Sequence, residues 1–510
     1  MTYQGMHAHH KELLMEYGRR LGVEKDFITD LYYPVLEQVH AVCQDKVEPY
    51  VREWDAVGVK LVNGEVVFPD KVMDAYNTLT HDPKGPQLYE GFLPEDFDGV
   101  ELPSIMLGAI METISYYDMS LSVTVGLAAT LIEAIILHPT DHLTGRYFPM
   151  LRKGAGGYVG FTEADAGSNL RNVKTTSTLE GDHYHVKGTK IYISNAGFAP
   201  IGIVLAKNIE DGEDKGTNAF IVENEFKNPD DPSKPGVWCS RLEEKMGIHA
   251  SATGVLEINA LVPKENLLGP RGQGYQTTLE RLLGMRMGVA FQSMALAERA
   301  YQLANSYAQE RVQFKKKIGE FPGVANKLRG MEVELPKMRR LAMEAAYALS
   351  RYQLGMDVRT KYLNLSKEEE GSIAEHADAL KRGLLNYTIS KAKLYNSEVG
   401  YFIVDDAIQI FGGNGYVKEY EVERLARDMR VNRIYEGTSE IHEFILGRTK
   451  KLATARDIGE LTEASMVSAK EAIPPMRPLG YDEIFYQRFP SILDTFIDEK
   501  GDPIFLFDQD

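Results

Sequence analysis

The sequence predicts an α+β chain in which a helical N-terminal domain, a middle β domain and a C-terminal helical bundle follow one another. Three observations carry this. The first 155 residues hold long apolar stretches with few turn signals, such as 103–137, rich in Leu, Ile, Met and Ala, which ends at His138-Pro139. From about 157 to 262 short runs at 184–186, 190–194, 202–206, 219–222 and 255–258 read as strands separated by Gly, Asn, Asp and Pro clusters. After Pro263 the spacing turns helical again. The expected domains are therefore 1–155, 156–265 and 266–450, with 451–510 as a C-terminal extension.

In the third domain Ala290, Met294, Ala297, Tyr301 and Ala304 recur at steps of three and four. Leu328, Met331, Leu335, Met338, Ala342, Ala345 and Leu349 form a second stripe, which Pro336 interrupts and is expected to kink. Such stripes suit long antiparallel bundle helices. Residues 356–371 read as a solvated loop before a third long helix that ends near Gly412. Beyond 450, Pro474, Pro475, Pro478, Pro490 and Pro503 among scattered aromatics read as a tail that wraps a surface.

A chain of 510 residues with 44% hydrophobic content has ample material for several packed domains. Its formal net charge of -17 argues against a general affinity for nucleic acid or anionic membrane. Cys43 and Cys239 are too few and too distant in sequence for a disulfide framework or a Cys-based zinc site, and no metal is expected. No stretch approaches 18 uninterrupted apolar residues, and His9, His10, Lys11 and Glu12 break up the N-terminus. The expectation is a cytoplasmic protein without a membrane span, with the mitochondrial matrix as the alternative.

Four segments hold residues suited to chemistry. Residues 161–169 (FTEADAGSN) form a polar loop whose amides and hydroxyls suit an anionic or heteroaromatic group, although a plain Gly-containing turn looks the same. In 190–197 (KIYISNAG), Tyr192 and Ser194 stand two apart on a strand, hence on one face, where a ring can lie on a planar cofactor and a hydroxyl can bond it. A half-buried strand would read alike. Residues 409–415 (QIFGGNG) end a helix in glycines, which permit either close approach to a ligand or a C-cap. Residues 433–441 (RIYEGTSEI) put Glu436 beside Gly437, Thr438 and Ser439 at a helix start, the alternative being a solvated carboxylate.

Together, in this order, the segments resemble the acyl-CoA dehydrogenase family over about residues 30–450. The likeness extends to Thr162-Glu163 with Ala166-Gly167-Ser168, Ile193-Ser194-Asn195, Lys245-Met246-Gly247 with Ser251 and Thr253, Val262-Pro263 with Glu265-Asn266, Arg311 with Phe314, and Tyr435-Glu436-Gly437-Thr438. The resemblance implies that the C-terminal region is a four-helix bundle, as in an acyl-CoA dehydrogenase-like fold, and that the reaction is FAD-dependent α,β-dehydrogenation of an acyl-CoA thioester to the trans-2-enoyl-CoA. Glu436 would take the α-proton, the β-hydride would go to flavin N5, and electron-transfer flavoprotein would accept the electrons. It also implies that Phe161, Thr162, Gly167, Ser168, Tyr192, Ile193 and Ser194 meet the flavin, whose ring would lie between the β domain and the bundle. Arg311, Phe314, Gln409, Gly412 and Gly413 would reach a neighbouring subunit's FAD in a homo-oligomer, usually a dimer of dimers. Thr438 and Glu440 would touch FAD beyond the base, and Ser168, Arg286 and Gly437 would hold the acyl-CoA.

Some branches of the family place the base immediately before the arginine matched by Arg286, but this chain has Met285 there, and Glu280 beside Arg281 is off register. Two stretches depart from the pattern. Phe314-Lys315 with Lys316 and Lys317 stands where Phe-Gly is frequent, and Pro322 stands where Gln is usual. The His138–His142 stretch replaces a Gly-Ser/Thr-Glu-Glu turn and reads as a surface turn rather than a metal site. Glu133, in an apolar helix, needs a cationic or hydrogen-bonding partner if buried, and could then mark a polar acyl group. The acyl group itself is not readable. Alternatives are an acyl-CoA oxidase, which usually carries a second large C-terminal domain, and a non-catalytic flavin-binding assembly protein of the same fold.

Overall fold

The computed structural model describes residues 3–353 and 367–453, and the tail expected at the C-terminus lies outside them. The chain folds into two compact units. One holds Leu31–Pro103 and Thr113–Met285; the other holds, of the described residues, those up to Asp30, Ser104–Glu112, and those from Arg286 onward.

The first unit is built on a seven-stranded sheet. Its strands are β1 (Gly157–Gly160), β2 (Thr176–Glu180), β3 (His183–Ser194), β4 (Ile201–Glu210), β5 (Glu213–Glu223), β6 (Val237–Leu242) and β7 (Thr253–Pro263). They lie in the order β1-β4-β2-β3-β7-β6, with β5 also pairing β4. Strands β1 and β2 run parallel to β4, while the β2–β3, β3–β7, β6–β7 and β4–β5 pairs are antiparallel. The sheet's core takes Tyr158, Val186, Phe220, Ile258, Ala260 and Val262. The two expected runs at 184–186 and 190–194 are one strand, because Gly188 and Thr189 stay in the ladder and pair with Ile258 and Glu257.

The helix Met119–Leu137 belongs to this unit. Asp118 caps it, its carboxylate accepting from the Leu121 amide at 2.7 Å. It is long and apolar enough to cross a membrane by length and composition, but 78% of its most apolar window is buried inside the protein. Glu133, half-buried in it, turns its carboxylate toward Gly284, where a Cβ would meet Oε2 at 2.5 Å. The glycine makes room for the carboxylate.

The second unit is a bundle whose long helices are Gly274–Glu310 (from Arg286), Pro322–Gln353 and Lys367–Phe411. Pro322 opens its helix, a position where a missing N–H costs nothing. The helix continues through Pro336. The N-terminal helix Tyr3–Arg20 joins this unit through a buried polar cluster that the apolar stripes did not announce. His10 Nε2 lies 2.7 Å from Glu112 Oε2, and Arg339 donates to Glu112 Oε1 at 2.9 and 3.0 Å and to Glu298 Oε2 at 3.1 Å. All four side chains are buried. Burial pushes the Glu112 carboxyl up, but Arg339 and His10 outweigh it and hold the group at about 2.

A depressed carboxyl adds stability that is present above its ordinary pKa and is lost as pH falls from about 4.5 toward 2, here about 3 kcal/mol. Glu112→Gln is expected to cost about 3 kcal/mol or more near neutral pH by stranding part of the Arg339 charge. It should also flatten the acid limb of the stability curve, as urea unfolding at about pH 7 and about pH 3 will measure.

Candidate active site

In the sheet unit the 161–169 loop is fixed from beneath by a buried ion pair. Glu163 and Ala166 exchange backbone hydrogen bonds at 3.0 and 3.1 Å, closing a tight turn over Ala164 and Asp165. The Glu163 carboxylate points inward and accepts from the Thr175 amide at 3.0 Å, the Thr175 hydroxyl at 2.6 Å and Lys190 Nζ at 2.7 Å. Lys190 is fully buried and also donates to the carbonyls of Leu205 at 2.7 Å and Phe161 at 3.3 Å. Burial brings the Lys190 ammonium down to about 8 although Glu163 opposes it, while Glu163 is held below its usual range by Lys190 and the surrounding donors despite its own burial. Phe161 is buried, Thr162 half-buried, and Gly167 and Ser168 are exposed.

Tyr192 and Ser194 do not share a face through the regular alternation expected of the strand. A bulge interrupts β3 between Lys190, opposite Leu256, and Ile193, opposite Gly254. The inward position passes from Lys190 to Ile193, so Tyr192, at φ +59 and 65% exposed, and half-buried Ser194 both stand off the buried side. Opposite Ser194 lies Thr253. Its hydroxyl and that of Ser251 are buried and have no hydrogen-bond partner among the described residues.

In the bundle unit the 433–441 segment runs from the end of a 3-10 turn at Arg433 into the helix Ser439–Ala453, and the chain between them turns left-handed at two residues, Glu436 at φ +56 and Gly437 at φ +100. Its carbonyls are gripped from three helices. Arg286 Nε donates to the Glu436 carbonyl at 3.1 Å, His442 Nε2 lies 3.2 Å from the same oxygen, and Lys393 Nζ donates to the Gly437 carbonyl at 2.6 Å. Tyr435 donates to Gln292 at 2.7 Å. Thr438 stands where an N-cap is expected, its carbonyl accepting from the His442 amide at 3.1 Å, and Ser439 turns its hydroxyl to Glu398 at 2.5 Å. Glu440 is exposed.

Glu436 is therefore not a solvated carboxylate. The residue is half-buried, and Oε2 is shut from solvent with no hydrogen-bond partner among the described residues. Burial raises its pKa to about 7, against the charges of Arg286 and Lys393, which lower it. A carboxylate that lacks donors and titrates near neutrality has the character of a general base. The guanidinium of Arg286, expected to serve the acyl-CoA, is buried and bonded to the Glu436 carbonyl and, at 3.0 Å, to Asn386.

The remaining expected residues lie elsewhere in the bundle. Arg311 follows the Gly274–Glu310 helix, and Phe314 and Lys315 form the two-residue turn of a hairpin pairing Val312–Gln313 with Lys316–Lys317. Both turn residues have positive φ, 49 and 65. Such a turn favours glycine, which explains why Phe-Gly is the frequent pair. The Phe314 ring is 89% exposed. Gln409 is exposed, Gly412 (φ +60) stops the long helix, and a Cβ on Gly412 or Gly413 would meet nothing within 4 Å. Tyr307 links the two stretches, stacking on Phe411 at 4.2 Å and accepting from Asn414 at 3.0 Å.

His138 and His142 do not converge. His142 lies 2.8 Å from Asn266 Oδ1 and His138 lies 3.5 Å from Glu280. Among the described residues no group of three His, Cys, Asp or Glu side chains forms a metal-binding cluster. Sequence reading missed Lys190, Lys393 and His442 as site-forming residues. A lysine inside an otherwise apolar strand or helix, as in 190–193 and 391–395, was the available signal.

Comparison with known proteins accords with this geometry. Family models described as the acyl-CoA dehydrogenase N-terminal, middle and C-terminal domains match residues 34–155, 159–261 and 272–367 with 372–450. A short-chain specific acyl-CoA dehydrogenase of Clostridium acetobutylicum is 34% identical over 330 residues, covering 64% of this chain and 76% of the relative. The chain belongs to the acyl-CoA dehydrogenase family. As an acyl-CoA dehydrogenase it is an oxidoreductase, with the family's helical, sheet and helical regions in order. A second relative, the short-chain specific enzyme of Megasphaera elsdenii, is 30% identical over 82% of this chain and 98% of its own. Among solved structures, an acyl-CoA dehydrogenase of Bacillus anthracis complexed with FAD matches at a TM-score of 0.68 with 29% identity, covering 89% of this chain and 72% of that one. A chain from the structure of the electron-transferring flavoprotein of Acidaminococcus fermentans matches at 0.67 with 26% identity, covering 85% and 99%.

Glu163→Gln is expected to destabilise the protein by about 3 kcal/mol, because it leaves the Lys190 charge uncompensated. Adding Lys190→Met should recover more than half of that loss in a double-mutant cycle read by urea unfolding.

Proposed function

We propose that this acyl-CoA dehydrogenase removes the α-proton of an acyl-CoA thioester with Glu436 and yields the trans-2-enoyl-CoA. The observation that carries the reading is the orphaned, buried Oε2 of Glu436 on a loop whose carbonyls are pinned by Arg286, Lys393 and His442. The α C–H of a thioester is a weak acid. A desolvated carboxylate without donors is a stronger base than a solvated one, and it gains most from accepting that proton.

FAD fits the residues present. The exposed Tyr192 ring offers a planar surface, Ser194 and the unpartnered hydroxyls of Ser251 and Thr253 offer hydrogen bonds, and Gly412 and Gly413 leave room for close backbone approach. Phe161, Thr162, Gly167, Ser168, Ile193, Arg311, Phe314, Gln409, Thr438 and Glu440 are the further candidates to hold it. Bound FAD would supply the acceptor for the β-hydride, at N5. Ser168 and Gly437 are proposed to meet the thioester, and the homo-oligomer would complete the far end of the cofactor site.

The acceptor we favour is electron-transfer flavoprotein, supported by the likeness to a chain from the structure of such a flavoprotein. Two relatives named as short-chain specific make butyryl-CoA the first thioester to offer. In flavin-replete protein, Glu436→Gln is expected to slow bleaching by a reactive acyl-CoA about 10²-fold or more with the fold retained. Near-normal bleaching would move the base elsewhere, and a wild-type protein bleached by no acyl-CoA in a panel would favour the assembly role. The wild-type rate should rise with pH through about 7, since Glu436 must be ionised to accept a proton. Fast peroxide formation with dioxygen as sole acceptor would instead mark an oxidase.

A further inference from the structure

A left-handed conformation at a glutamate costs about 1–2 kcal/mol and persists only where the surroundings hold it. Glu436 is such a residue, and three hydrogen bonds that hold its turn fall on two carbonyls, its own and that of Gly437. Two come from residues close to the loop in sequence or already implicated, His442 and Arg286. The shortest of the three comes from Lys393, on the long Lys367–Phe411 helix, whose Nζ meets the Gly437 carbonyl at 2.6 Å.

Lys393 is 0% exposed. A lysine buried to that degree forfeits its hydration, and a packed protein retains one only where its charge meets a specific demand. Several charged and titratable groups act around it. Arg286 stands on the Gly274–Glu310 helix, Glu398 on its own helix, Glu436 in the loop, and Glu440 and His442 on the Ser439–Ala453 helix.

We propose that Lys393 is a positioning residue for Glu436, its ammonium pinning the Gly437 carbonyl so that the carboxylate faces substrate and its positive charge counterbalancing the negative one. This rests on Glu436 being the base. The two groups are matched. Burial, and next the charge of Arg286, bring Lys393 down to about 7 against Glu436, Glu398 and Glu440, and Glu436 rises by burial to about 7 against Arg286 and Lys393. Groups so placed titrate as a coupled pair, and a proton held by the amine leaves the carboxylate free to accept another from substrate. His442, whose burial keeps it neutral, adds a hydrogen-bonding nitrogen without adding charge.

The test uses full-length, FAD-loaded protein and two readouts. One is the pH profile of flavin bleaching by butyryl-CoA. The other is an infrared titration of the protonated-carboxyl band that disappears in Glu436→Gln, which needs no substrate. Lys393→Met should move the acid limb and the infrared midpoint up by about one pH unit, a tenfold change in ionisation constant. It should also lower the limiting bleaching rate by about tenfold, the loop having lost a hydrogen bond. Lys393→Arg, whose charge is permanent, should return both midpoints to the wild-type value or below. Lys393→Gln keeps a donor for the Gly437 carbonyl without the charge, so it should shift the midpoints yet recover most of the limiting rate. Wild-type midpoints and rate in both the Met and Gln variants, with Glu436→Gln inactive, would overturn the role of Lys393 and leave the base standing. Wild-type bleaching in Glu436→Gln would instead remove the base reading itself.

Discussion

A carboxylate taken out of water must either find donors or surrender its charge, and the candidate site follows from how this chain answers that demand at different residues. Glu112 meets Arg339 and His10 and is held at about 2. Glu163 meets Lys190 and three further N–H or O–H donors, from Lys174 and Thr175, and is held below its usual range. Glu421 meets Arg299 and Arg424 and is held low as well. Glu436 stands apart: nearby cations are spent on backbone carbonyls, and its Oε2 is left without a donor among the described residues. Its raised pKa is the local consequence of satisfying the loop rather than the side chain.

The same logic explains how firmly each unit holds its own candidate residues, each taken by itself. In the sheet unit, a bulge turns Tyr192 outward while Lys190, two residues earlier, is locked inward on Glu163, so the polar loop and the outward-turned residues of β3 are fastened to one buried contact. In the bundle unit, the strained turn at Glu436 and Gly437 is bound to three separate helices. Precision of this kind comes from hydrogen bonds to backbone, which constrain the chain regardless of the side chain it presents.

Much of this was legible in the residues. The helical, β and helical regions followed from periodicity, because stripes such as 290–304 and 328–349 can face only one way in a bundle. Segments 161–169, 190–197, 409–415 and 433–441 pointed to the family because their order, more than their individual chemistry, is improbable by chance. What periodicity could not convey was long-range pairing. Nothing local to His10 announces Glu112, about a hundred residues on, and nothing around Lys393 announces the Gly437 carbonyl. The bulge in β3 was also hidden, since 190–194 reads as a regular strand until its register with β7 is known. Phe314-Lys315 read as a departure, and its positive φ angles show what the departure costs.

The helix Met119–Leu137 has a consequence for the life of the chain before it is an enzyme. Its cover includes groups made later, among them the side-chain amide of Asn195, which donates to the Thr124 carbonyl at 3.1 Å. A ribosome that has released the chain through Leu137 has thus exposed a greasy nineteen-residue rod while much of its shelter is still untranslated. Until residues as far as Asn195 have followed, that apolar surface lacks part of its cover, and incomplete chains that leave such surface open are the ones prone to aggregate.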